Sequence, residues 1–163
     1  EGGARPAPQQ PGDGLHVEAD NAQAVIENSR FEGNAFNGIY LRIAKANIRN
    51  SVASGNGRQG MVLVSGFTKI TETAADDNAE NGFVVRDSTG TVLLEFSEAS
   101  GNGLAGLLVE ASSNVAAVIS NCVFAGRVSP SNPGVNNQGT LVSRGNNTVI
   151  NTAGNAPVGI AQY

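Results

Sequence analysis

The acidic residues are the first place to look for chemistry. Asp76 and Asp77 are adjacent, with Glu80 and Asp87 a few positions further on. Carboxylates grouped in this way could hold Ca²⁺ or serve as an acid pair, since glycoside hydrolysis needs two of them about 5–9.5 Å apart. Successive strand residues face opposite sides, however, and this stretch falls where a turn is expected. Asp76 and Asp77 therefore read as a solvated acidic turn and remain only weak metal candidates. Glu72, Glu95 and Glu98 could form a second acidic row beside Lys69, which reads as a surface charge ladder. His16 and Cys122 are each the single residue of their type, so a Ser-His or Cys-His pair has one possible location. One thiol makes neither an intrachain disulfide nor a zinc site. Cys122 sits in the apolar stretch Val118-Ile-Ser-Asn-Cys-Val-Phe124 and reads as a small buried hydrophobe. Arg30, Arg49, Arg58, Arg127 and Arg144 share no phase and read as scattered surface charges. Gly55-Asn-Gly57 has the composition of a phosphate loop, but no helix is expected after it. Asn146-Asn-Thr148 permits glycosylation. No catalytic or cofactor-binding residue is assigned, and no cofactor is expected.

The elements that would have to position these groups follow from composition and period. Gly supplies 21 of the 163 residues, there is no Trp, and charged residues make up only 15%. So many helix-poor residues disfavour a helical bundle, while 40% hydrophobic content can still bury a core. The net charge of −4, with Lys45 and Lys69 as the two lysines, argues against an electrostatic nucleic-acid binder. No run of about 18 apolar residues is present, so no helix that crosses a membrane is expected. The first residue is Glu1 rather than Met. With the low Lys and the abundant Gly, Asn, Ser and Thr, this points to a processed protein that works outside the cell or at its surface.

A repeat organises the chain. Gly followed by alternating apolar residues recurs at Gly14, Gly38, Gly60, Gly82 and Gly106, at intervals of 24, 22, 22 and 24. Asn34, Asn56, Asn78 and Asn102 precede the later starts at intervals of 22, 22 and 24. Within a unit the period is two, which means strands. The first strand turns Leu15/Val17, Ile39/Leu41, Met61/Leu63, Phe83/Val85 and Leu107/Val109 to one side. A second aligns Ile26, Ile48, Ile70, Leu94 and Val118, and a shorter third aligns Phe31, Ala53, Ala75 and Ala99. Ser29, Ser51, Thr73 and Ser97 keep register between them. Three short strands in 22–24 residues close into one coil of a parallel β-solenoid, with like residues stacked about 4.8 Å apart.

On these marks, and on turns such as Asn37-Gly38 and Gly101-Asn-Gly103, the chain resembles the right-handed parallel β-helix, or pectin-lyase-like, repeat proteins. The resemblance implies an all-β, single-stranded right-handed β-helix of about five to six coils. It implies little about chemistry, because the fold hosts many functions. The expected organisation is an extended Pro/Gly-rich arm over 1–13, a solenoid over 14–151 with a loop at 127–134, and a tail over 152–163.

Outward residues of the first strand give two rows. His16, Tyr40, Val62, Val84 and Leu108 form an apolar stripe, and Glu18, Arg42, Val64, Arg86 and Glu110 a mixed one. Neither groups carboxylates around a base where a substrate would lie. The stripe Tyr40, Val62, Val84, Leu108 is apolar where solvent is expected, which marks an interface or a surface covered by the chain itself. The arm residues Pro6, Pro8 and Pro11 and the tail residues Val158 and Ile160 are candidates to meet it or to add to an open strand edge. The reading is a non-enzymatic secreted or surface structural module that self-associates as a homo-oligomer or filament, by arm exchange or end-to-end stacking. The alternatives are a carbohydrate-binding or carbohydrate-processing module, a lyase or hydrolase with a glycan partner, and a fragment of a larger β-helix protein. Tyr40 and Tyr163 as the sole tyrosines make a poor sugar platform.

Overall fold

A computed structural model describes residues 12–64, 66–86, 90–111, 116–127 and 132–150, and the backbone of 161–162. Asp87, the arm residues Pro6, Pro8 and Pro11, and the tail residues Val158 and Ile160 lie outside the described residues. The described chain is all-β and winds through about five turns of parallel coils. Alternating apolar residues pair like with like from coil to coil. The first face stacks the N-terminal half of β1 (Leu15–Glu27), that of β3 (Ile39–Arg49), β5 (Met61–Val64), β7 (Phe83–Arg86), β10 (Leu107–Val109) and β13 (Val135–Asn137). The second stacks the remaining halves of β1 and β3 with β6 (Phe67–Thr71), β8 (Thr91–Glu95), β11 (Ala116–Ser120) and β14 (Thr140–Ser143). The third holds β2 (Arg30–Glu32), β4 (Val52–Ser54), β9 (Glu98–Asn102), β12 (Val123–Gly126) and β15 (Thr148–Ile150). Isolated bridges through Ala74 join β4 to β9. Beyond β14 lies β16 (Ala161–Gln162).

Two details differ from the sequence expectation. The first two strands of coils one and two run on as β1 and β3. From coil three the corner breaks at Gly66, whose φ of +76° is left-handed and where a Cβ would stand 2.2 Å from the Ala44 carbonyl oxygen and 2.3 Å from that of Ile43. The inward residue of β11 is Ile119, which pairs with Leu94, whereas Val118 pairs with the outward Leu93. That coil is one residue longer than its neighbours, and a slip of one residue turns a strand over.

The core is a set of columns. Ile48, Ile70, Leu94 and Ile119 have no exposed surface, and Met61, Phe83 and Leu107 join them. Phe83 packs edge-on to Phe124, with centroids 6.5 Å apart. The third column narrows to Ala53, Ala75 and Ala99, each fully buried. It narrows because Gly38, Gly60 and Gly82 pass against it. A Cβ at Gly60 would stand 2.6 Å from the Gly82 carbonyl oxygen and 2.8 Å from Asn78 Nδ2. Ala53→Leu is therefore expected to lower stability by about 1–3 kcal/mol through overpacking, measurable as a lower midpoint in urea.

Buried amides close the turns. Asn34 Nδ2 donates to Asn56 Oδ1, Asn56 Nδ2 to Asn78 Oδ1 and Asn78 Nδ2 to Asn102 Oδ1, all at 2.9–3.0 Å. A second ladder runs the other way at the residues preceding the coil-start glycines. Asn37 Nδ2 donates to Asp13 Oδ1 at 2.8 Å, and Asn81 Nδ2 to Gln59 Oε1 at 3.0 Å. Ser51, Thr73 and Ser97 form a hydroxyl column, each donating to the carbonyl two residues before it. Such pairing leaves few buried polar groups unsatisfied.

Candidate functional site

The outer side of the first face begins with a cluster around the single histidine. Asp13 accepts from the Asn37 backbone and side-chain N–H groups through Oδ1, and its Oδ2 lies 2.6 Å from His16 Nδ1. The His16 ring stacks on Tyr40, with centroids 4.5 Å apart and planes at 13°. Burial, and then the charge of Glu18, raise the Tyr40 hydroxyl above its ordinary pKa. The face continues as a small apolar cluster of Val62, Val64 and Val84, with Tyr40 and Leu108 against it. Val62 is 2% exposed and Val84 0%, so the middle of the stripe is closed to solvent. A cavity of about 130 Å³ lies beside it, lined by Asn37, Tyr40, Arg58, Gln59, Val62 and Arg86. Its guanidiniums are held by carboxylates, Arg58 by Glu80 at 3.4 Å and Arg86 by Glu110 at 3.3 Å, and Gln59 also donates to Glu80.

The acidic stretch is built into the turns. Asp76 Oδ1 accepts from the Ser100 backbone N–H at 2.7 Å and its hydroxyl at 3.1 Å. Asp77 occupies the position held by Gly33, Gly55 and Gly101 in other coils and shares their left-handed conformation, with φ +53°. Aspartate is among the residues that adopt it most readily. Glu80 is engaged with Arg58 and Gln59. Among the described residues, no group of three or more His, Cys, Asp or Glu is placed to hold a metal ion, and no helix is long and apolar enough to cross a membrane. Cys122 is buried one coil beyond Ser97, and its thiol lies 3.3 Å from the Ser120 carbonyl oxygen. Burial pushes this thiol above its usual pKa.

An open groove lies at the corner between the second and third faces. It has a volume of about 420 Å³ and is lined by Glu72, Thr73, Ala74, Phe96, Ser97, Glu98, Asn121 and Val123. Phe96 is 60% exposed and Val123 40%. The acidic row Glu72, Glu95, Glu98 divides here. Glu95 pairs with Lys69 at 3.0 Å on the second face, while Glu72 and Glu98 line the groove. Residue type alone does not mark Phe96 as exposed, because an aromatic in a β-repeat is expected inside. Its signal is positional, since it stands 24 residues after Glu72 and 25 before Asn121 in a corner column.

The family model for a right handed beta helix region matches residues 13–163. The chain belongs to the right-handed beta helix family. The match spans every described coil, from Asp13 beneath β1 to β16. Searches of curated proteins and of solved structures gave no match. For this β-helix the family membership accounts for the coiled fold, and leaves the outer faces to be read on their own chemistry.

Proposed function

We propose that this β-helix is a secreted or surface structural module, non-enzymatic, that stacks end to end with another copy of itself. The observation that carries the reading is the state of the core at the first coil. Leu15, Val17, Ala22, Ala24 and Phe31 pack against the core but keep solvent-exposed surface. One coil further on, Ile39, Leu41, Ala46 and Ala53 are at most 1% exposed. β1 also pairs along one side alone, with β3, among the described strands. The outer side of β1 offers a row of backbone donors and acceptors, and a core cross-section, to which a coil of another copy can add. Such a contact is head to tail, so copies add in one direction and form a line rather than a closed dimer. The Lys-poor, Gly- and Asn-rich composition supports a place outside the cell.

An inward charge at an edge strand blocks coil addition while the coil's own packing survives. Ala24→Lys is therefore expected to hold the protein monomeric at concentrations where the parent chain's mass grows, with the two melting points within about 4 °C. Light scattering after size separation would check this. A parent chain that stays monomeric, or a variant that assembles equally well, would contradict the reading.

A further inference from the structure

The corner between the second and third faces is turned in each coil by one left-handed residue. The column reads Asn28, Asn50, Glu72, Phe96, Asn121 and Asn146, with φ from +47° to +54°. Asparagine is the non-glycine side chain best suited to this conformation, and a bulky aromatic is poorly suited. The two exceptions to asparagine are consecutive, and both line the groove described above. Packing does not explain Phe96, a residue 60% exposed. Charge is segregated here as well. Glu72 and Glu98 line the groove and have no ion-pair partner among the described residues; Asp76 and Asp77, which do not line it, have none either. Every other described carboxylate side chain faces a cationic or imidazole group, as Asp20 faces Arg42 and Glu27 faces Arg49. The groove thus combines the exposed apolar side chains of Phe96 and Val123 with two carboxylates, Glu72 and Glu98, that no described cation faces.

We propose that this groove receives the segment 1–11 of a neighbouring copy, with Arg5 against Glu72 and Glu98 and the prolines 6 and 8 on Phe96 and Val123. Proline-rich segments are preset in an extended form and dock on exposed aromatic rings at low entropic cost, and an adjoining arginine selects an acidic rim. The segment has this composition, Arg5-Pro-Ala-Pro-Gln-Gln-Pro11. Its length also fits. Eleven residues of polyproline type span about 34 Å. A copy stacked on the coil of β13–β15 starts its Gly12 two to four coil spacings, about 10–19 Å along the axis, from the groove residues of coils three to five. The partner's identity rests on the end-to-end association proposed above, and the groove's chemistry does not.

The test uses the full chain with the photoreactive residue of Ala7→p-benzoylphenylalanine, irradiated at a concentration where the protein assembles. The expected product is a cross-linked dimer whose attachment maps to Phe96, Val123 or their neighbours in the groove. Phe96→Asn should lower that yield at least about five-fold while raising the melting temperature by about 2–4 °C, because the corner then carries its preferred residue. Cross-links elsewhere on the surface would overturn the proposal. So would groove cross-links confined to the monomer band, since the segment would then bind its own chain. Sedimentation of the same sample separates the failures. A monomeric chain removes the association reading and this proposal with it, whereas an assembled chain cross-linked elsewhere removes the groove alone.

Discussion

Ile48→Asp is expected to abolish the cooperative melt of the protein at neutral pH. Ile48 is fully buried between Ile26 and Ile70 in the inward column of the second face. A carboxylate there has no polar partner, so it must either stay charged in an apolar stack or take up a proton. Either cost is several kcal/mol, against a total stability of about 5–15 kcal/mol for a domain. Because each coil is held by its neighbours, the damage spreads along the stack. Two controls fix the interpretation. Ile48→Val should cost about 1 kcal/mol with the transition intact. Asn47→Asp, one residue away on the exposed side, should change stability by less than about 0.5 kcal/mol. Circular dichroism during heating reads all three. A wild-type-like melt for Ile48→Asp would mean that the inside and outside of the second face are exchanged.

Asn78→Ala should have the next largest effect, about 3–5 kcal/mol. Asn78 is 1% exposed and stands mid-ladder. Its Oδ1 accepts from the Asn56 backbone N–H at 3.1 Å and from Asn56 Nδ2 at 2.9 Å. Its Nδ2 donates to the Ala53 carbonyl oxygen at 3.1 Å and to Asn102 Oδ1 at 3.0 Å. Alanine removes all four bonds and refills none of them, and each buried group left unpaired costs about 1–3 kcal/mol. Asn34→Ala, at the partly exposed start of the ladder, should cost less than half as much. Equal midpoints in urea for Asn78→Ala and the parent would show that the ladder contributes nothing to the stack.

The columns were legible in the sequence because stacking places like residues at a fixed spacing. The isoleucine and alanine columns and the ladder at Asn34, Asn56, Asn78 and Asn102 all kept phase over coils of 22 and 24 residues. The phase was lost where a coil lengthened by one, which turned Val118 out and brought Ile119 in. The second ladder was harder to see because its members differ in type, Asp13, Asn37, Gln59 and Asn81, although they share one hydrogen-bonding role. Cys122 belongs to the serine column for the same reason. The corner column is hidden in the sequence, since Glu72 and Phe96 break its asparagine pattern, and backbone handedness leaves no mark on an alternating apolar code. Burial of Val62 and Val84 was equally hidden. Alternation places them on the outer side of a strand but carries nothing about what closes that side.

The central claim is that coils of one copy continue on the first coil of the next. Small-angle X-ray scattering over a concentration series tests it most directly. End-to-end addition predicts a cross-sectional radius that stays constant while the longest dimension grows in steps of about 25–30 Å, the height of five to six coils at the strand spacing. A longest dimension that never changes, or growth in the cross-section instead, would contradict it.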